Sequence, residues 1–157
     1  MSSPSTVALA TFTLLLASVV SDLRSRTVPD LLPVALVLLG MLATWRAWHA
    51  VSWGQLGVGL AAGFVIGATL FYLGAMGGGD AKLSAGLGAV CGWPMLLEVW
   101  FATALVGGAL AAWAKRRGMS SLPYAPAFAG GYATTMAIGL LLPPKSGLWH
   151  LLTGQAA

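Results

Sequence analysis

Six apolar blocks joined by short polar connections leave this chain little choice of fold. They run over Val7–Val20, Leu31–Trp45, Leu56–Ala75, Leu83–Trp93, Met95–Ala114 and Ala125–Leu142. A bilayer crossing takes about 20 mostly apolar residues, so six would occupy about 120 of the 157 present. Only 8% of residues are charged, against roughly 25% in a soluble domain. Eight Lys/Arg and four Asp/Glu cannot solvate a globular surface. A soluble enzyme, a nucleic-acid-binding domain and a disordered segment are thereby excluded. The expected architecture is an all-α, polytopic membrane helical bundle of about six transmembrane helices, one membrane-embedded domain over residues 1–157. Its solvent partner is the lipid bilayer, with no room for a soluble domain.

Cys91 is the single cysteine, so neither an intramolecular disulfide nor a multi-cysteine zinc site can form. His49 and His150 fall at expected loop positions without neighbouring ligands, so no metal and no cofactor is expected. The first block resembles a signal peptide in hydropathy, but residues 1–6 hold no Lys or Arg, where a signal peptide carries positive charge. It reads as a retained span with the N-terminus outside. Loop charge agrees. Arg24, Arg26, Lys82, Lys115, Arg116 and Arg117 lie in the odd loops, against Arg46 and Lys145 on the other side, which assigns the odd loops to the cytoplasm. Trp45, Trp48, Trp53, Trp93 and Trp149 are expected to form the outer interfacial belt, with Trp113 on the inner side.

Gly59, Gly63 and Gly67 recur every fourth residue in the third block, a smooth stripe suited to close helix packing. The fourth block is short. From Lys82 to Trp93, a helix rises only about 18 Å, against a hydrocarbon core of about 30 Å. Either the helix kinks through Pro94, or it begins inside the bilayer plane and leaves Gly77–Asp80 in a water-filled dent.

The four acids are Asp22, Asp30, Asp80 and Glu98. Glu98 reads as an interfacial group at the outer end of the fifth block. Asp22 closes the first block and Asp80 opens the fourth, with two spans between. An even number of crossings returns the chain to the same face, so both carboxyls belong at the cytoplasmic border. Two close carboxyls share a proton, because both cannot ionise cheaply. One then activates water while the other donates to the carbonyl under attack. Judged by each residue's own helix dipole, Asp80 is the base and Asp22 the acid, an order that Arg24 and Arg26 could reverse. Gly77, Gly78 and Gly79 strip side chains from beside Asp80 and leave backbone that an extended peptide can approach. Structural alternatives stand beside this: a solvated boundary Asp next to Arg24, and a glycine-capped helix start. Two functional alternatives use the same residues. One is a transporter or proton relay with Asp22 and Asp80 as ion ligands; the other is a non-catalytic subunit assembled through its glycine stripes.

The stretch Ser21-Asp22-Leu23-Arg24-Ser25-Arg26-Thr27-Val28-Pro29-Asp30 resembles the first signature of the type IV prepilin peptidases. Gly77-Gly78-Gly79-Asp80-Ala81-Lys82-Leu83 resembles their second, the glycine-x-glycine-aspartate motif of intramembrane aspartyl proteases. Leu122-Pro123-Tyr124-Ala125-Pro126-Ala127 is similar to the Pro-Tyr-x-Pro stretch before their last span. The resemblance covers nearly the whole chain. Presenilin-like proteases share the second motif but carry their aspartates on adjacent spans. What the resemblance implies is cleavage of prepilin or pseudopilin leader peptides by catalytic Asp22 and Asp80 at the cytoplasmic face of the bacterial inner membrane. Such a substrate has a cytoplasmic, often basic leader followed by an apolar helix. Gly78 and Gly79 would admit the scissile backbone. Lys82 would orient Asp80 or, as the simpler reading, snorkel to the interface.

The chain departs from the family pattern in two ways. Asp30 stands where the family has Asn; it still suits the cap of the second span, yet adds a negative charge near the pair. The cysteine-rich insertion of the two-function, methylating enzymes is absent, which puts methylation in doubt. In size the chain looks most like the stand-alone peptidases of tight-adherence pilus systems. Pro123, Tyr124 and Pro126 read first as loop-to-helix punctuation.

Overall fold

The computed structural model describes residues 4–118 and 124–141, and every regular element among them is helical. These are α1 (Pro4–Ser25), α2 (Leu31–Trp45), α3 (Trp53–Tyr72), α4 (Gly78–Arg116) and α5 (Ala125–Leu141). The expected apolar blocks thus become helices, with one difference: the fourth and fifth join in α4.

That element is not a rod. Gly92 has φ 70° and ψ 170°, a region open essentially only to glycine, and Pro94 follows two residues later. Trp100 donates its indole N–H to Ser84 Oγ at 3.2 Å, across 16 residues of sequence. On a straight helix those residues would stand about 24 Å apart. The two legs of α4 therefore fold back on each other about Gly92, midway between the two partners.

The first leg is the centre of the molecule. Asp80, Ala81, Leu83, Ser84 and every residue from Gly86 to Gly92 are buried, as expected for a helix with neighbours all round. On one side lies α3, antiparallel. A Cβ on Gly59, Gly63 or Gly67 would strike the backbone of Gly88, Ser84 or Ala81 respectively, and Ser84 Oγ donates to the Gly63 carbonyl at 2.8 Å. The glycine stripe is a packing surface. On another side lies α2, where Gly40 meets the Ala89 backbone and Gly86 meets Pro33 and Leu36. The shortness of the fourth block thus belongs to a helix buried along most of its length.

The second leg packs against α5, with Gly131 over Thr103 and Gly130 over Val106, and with Trp100 edge-on to Phe128 at 5.3 Å. Helix α1 lies along α5, where Thr11 and Tyr132 share a hydrogen bond. Chain direction alternates from each helical segment to the next. Trp45, Trp53 and Trp93 consequently gather at the end where Val51 touches Gly92. The C-terminus of α1 and the N-termini of α4 and α5 gather at the other.

Large apolar side chains face outward along the bundle, among them Leu9, Phe64, Phe101 and Leu105. Three helical stretches, Ser5–Ser25, Trp53–Tyr72 and Gly78–Arg116, are long and apolar enough to cross a membrane, and Leu31–Trp45 is a shorter apolar helix. The chain is an integral membrane protein. Leu142, Lys145, Trp149 and His150 lie outside the described residues, as do Leu122 and Pro123 of the third motif.

Candidate active site

Helix α1 runs three residues past Asp22, whose carbonyl accepts the N–H of Arg26 at 2.9 Å. Arg26 itself is left-handed at φ 53°, so the chain turns sharply there. Ser21 Oγ donates to the Thr27 carbonyl at 2.9 Å across that turn. Val28 then tucks inward and is buried. The first motif is thus a helix end plus a folded turn, with Asp22 on the inner face and Arg24 and Arg26 exposed.

At the other side of the site, Gly77 is the N-cap of α4 with extended backbone, and Asp80 stands in the first helical turn. The acid lies just inside the helix, where the sequence suggested just before it. Its carboxyl accepts a hydrogen bond from the Gly77 backbone N–H. That is the geometry of an acidic side chain three places into a helix reaching back to the cap.

Asp22 and Asp80, 58 residues apart in the sequence (80 − 22), are both buried, at 6% and 7% exposure. They lie close enough for Asp80 to feel the charge of Asp22. Asp22 Oδ2 accepts the backbone N–H of Ala125 at 3.2 Å. Asp80 Oδ1 is buried and has no hydrogen-bond partner among the described residues. Each carboxyl thus meets a helix N-terminus, Asp80 that of α4 and Asp22 that of α5. The expected asymmetry between base and acid, argued from α1 and α4 alone, therefore does not stand. A contact with α5 could not be read from the local sequence around Asp22.

The remaining candidate residues separate. A Cβ on Gly78 would meet only the Phe71 ring, at 3.5 Å, an ordinary contact. A Cβ on Gly79 would press on Val28, 3.0 Å from its Cβ and 3.2 Å from its carbonyl oxygen. Gly79 is bare because the α1–α2 turn packs there. Lys82 is paired with Asp30, Nζ to Oδ1 at 2.7 Å, with both side chains largely exposed. The lysine therefore does not snorkel freely. Nor does Asp30 cap α2, where it forms no side-chain cap hydrogen bond; its charge is matched by Lys82.

Chemically, the arrangement offers two neighbouring buried carboxyls. Each is held by one backbone donor, and Asp80 Oδ1 has no hydrogen-bond partner among the described residues. Residues 9–112 match the type IV leader peptidase family. The prepilin leader peptidase/N-methyltransferase of Bacillus subtilis (strain 168) is 34% identical over 125 residues, covering 75% of this chain and 50% of that protein. The proteins of that name from Burkholderia pseudomallei strains 1026b and K96243 are 33% identical over 151 residues, 87% of this chain and 48% of theirs. The chain spans about half the length of the curated relatives it matches. No solved structure matches it. On its motifs and these likenesses together, the chain belongs to the type IV leader peptidase family.

Proposed function

We propose that this chain is an aspartyl endopeptidase that removes the leader peptide of type IV prepilins or pseudopilins at the cytoplasmic face of the bacterial inner membrane. Asp22 and Asp80 are its catalytic pair. The observation that carries the reading is that these two buried carboxyls, from α1 and α4, lie close enough for Asp80 to feel the charge of Asp22, with Asp80 Oδ1 lacking a hydrogen-bond partner among the described residues.

Hydrolysis follows from a pair holding one proton. The ionised carboxyl takes a proton from water as the water oxygen bonds to the scissile carbonyl carbon. The protonated carboxyl gives its proton to the carbonyl oxygen, which forms a gem-diol. In the second step the newly protonated carboxyl donates to the amide nitrogen, the C–N bond breaks, and the other carboxyl recovers a proton from the diol. The pair ends as it began. Gly78 is where the scissile backbone approaches. Gly79 and Lys82 act through Val28 and Asp30, holding the α1–α2 turn beside the site.

The membrane arrangement in this proposal has six crossings: α1, α2, α3, the two legs of α4, and α5. The alternating helix directions support it. Arg24, Arg26, Lys82, Lys115, Arg116 and Arg117 all belong to the end that holds the aspartates, and Trp45, Trp53 and Trp93 to the other. The positive-inside rule then puts the site at the cytoplasm and the N-terminus outside. The substrate's apolar helix lies in the bilayer while its leader stays in cytoplasmic water. The proposal is confined to hydrolysis; methyl transfer appears in the relatives' names and has no counterpart in the chemistry of two carboxyls. A proton relay would favour acids near mid-span, whereas both aspartates stand at helix ends.

Co-expression with a candidate prepilin tests the reading. Asp22→Asn and Asp80→Asn keep the side-chain size and remove the carboxylate, and each is expected to abolish processing. Normal cleavage by either variant, folded in the membrane, would overturn the pair.

A further inference from the structure

The third motif starts a helix, and its backbone reaches the site. A helix opens with N–H groups that lack intrahelical partners, and the first residues of α5 show where several of theirs go. Ala127 and Phe128 both donate to the Tyr124 carbonyl, at 2.9 and 3.4 Å. Pro126 has no N–H to give. The N–H of Ala125 goes to Asp22 Oδ2 across 103 residues of sequence. The donor is rigidly mounted. Ala125 and Phe128 are fully buried, and the Phe128 ring is wedged between Trp100 at 5.3 Å and Tyr124 at 6.2 Å.

Resting on the peptidase reading above, we propose that the first turn of α5 is a positioning element of the reaction: the Ala125 N–H fixes Asp22 Oδ2 and so aims this carboxyl at Asp80 and the substrate. Pro126 removes the next donor along the turn, so the Ala125 N–H has no competitor on that side. Tyr124 and Phe128 anchor that donor against the second leg of α4. Ala125 touches no reacting atom in this scheme; it acts through Asp22. A hydrogen bond to a charged group is stronger than one between neutral groups. If that orientation is needed only during the reaction, its loss falls on kcat while KM is held.

The test replaces the Ala125 amide with an ester, by suppression with the hydroxy-acid analogue of alanine, which deletes the N–H with almost no change of shape. Purified protein in lipid vesicles is assayed on a prepilin-like peptide carrying a basic leader and an apolar helix. The expected result is a fall in kcat of about tenfold or more with KM held within about twofold. Wild-type kcat in the ester variant would overturn the inference, while an inactive Asp22→Asn control would leave the peptidase reading intact. Normal cleavage by Asp22→Asn would instead overturn that reading. Should the ester variant not fold, the contact is read directly by NMR. Labelling alanine with ¹⁵N and the tyrosine carbonyl with ¹³C isolates the two Tyr–Ala amides, Ala125 and Ala133. Asp22→Asn is expected to shift the Ala125 amide and spare Ala133. An Ala125 resonance indifferent to Asp22→Asn would overturn the proposal.

Discussion

Lys82 and Asp30, 52 residues apart in sequence, are joined by an ion pair with Nζ 2.7 Å from Oδ1. The pair links the start of α2 to the first turns of α4, on the same side as the contact between Val28 and Gly79. Two ties, one polar and one steric, thus fix the α1–α2 turn over the N-terminus of the helix that carries Asp80. The side chains are 53% and 72% exposed, so the polar tie is the weaker.

Exposed pairs of this kind contribute about 0–1 kcal/mol. Asp30→Asn is therefore expected to cleave substrate within about threefold of wild type, since Asn keeps the shape and one oxygen acceptor. Lys82→Met should do the same, and the double variant should lose no more than the worse single one. Rates measured across this cycle check the claim. Complete loss in Asp30→Asn with intact protein would point to a different catalytic pair. A much larger loss in Lys82→Met than in Asp30→Asn would show that the ammonium acts on the substrate.

The helical blocks were legible because uninterrupted apolar runs fix membrane segments strongly, and span counting alone placed Asp22 and Asp80 at one end. What escaped was anything decided by contact between distant segments. Lys82 looked like a snorkelling residue because its partner lies 52 positions away. The hydrogen bond between Ala125 and Asp22 is likewise invisible without the fold, since its donor is a backbone group with no side-chain signature. The start of α3 carries a readable local signal. Ser52-Trp53-Gly54-Gln55 has the spacing of a capping box, and both of its hydrogen bonds form, at 2.9 and 3.3 Å. The fold-back in α4 had a partial signal in Gly92 and Pro94, which mark a break but not the direction of the following leg.

The two glycines before Asp80 are expected to behave differently. Gly79→Ala forces the Val28 backbone or side chain to move, because the added Cβ would sit 3.0 Å from Val28 Cβ. Overpacking of this kind costs about 1–3 kcal/mol, so thermal stability in detergent and cleavage should fall together. Gly78→Ala meets only ordinary contact with Phe71. Its stability should stay close to wild type while KM for the peptide rises. A Gly78→Ala enzyme with unchanged kinetics would remove Gly78 from the substrate path.

Gly92 is where α4 reverses, and no other residue type fits that backbone comfortably. A side chain at φ 70°, ψ 170° costs about 1–3 kcal/mol, and its Cβ would also press on Val51 Cγ1 at 3.0 Å. Gly92→Ala is therefore expected to lower the unfolding midpoint. Gly57→Ala supplies the contrast, because nothing lies within 4 Å of the added atom and alanine is the better helix former. Equal midpoints for the two variants would show that the bend tolerates a side chain.

His49 gives the fold a pH dependence separate from that of the aspartates. It stands in the connection between α2 and α3, its two ring nitrogens are buried without partners among the described residues, and burial pushes its pKa below the ordinary imidazole value. As pH falls through about 6.5, the unfolded chain takes up a proton that the folded chain resists. The unfolded state then binds more protons, so stability is full above that pH and declines below it until the folded imidazole also protonates. His49→Leu removes the titrating group and the two unpartnered nitrogens together. Its unfolding midpoint in detergent should therefore fall less than that of wild type between neutral pH and the mildly acidic range. Parallel curves for the two proteins would mean that His49 is protonated equally in the folded and unfolded chains.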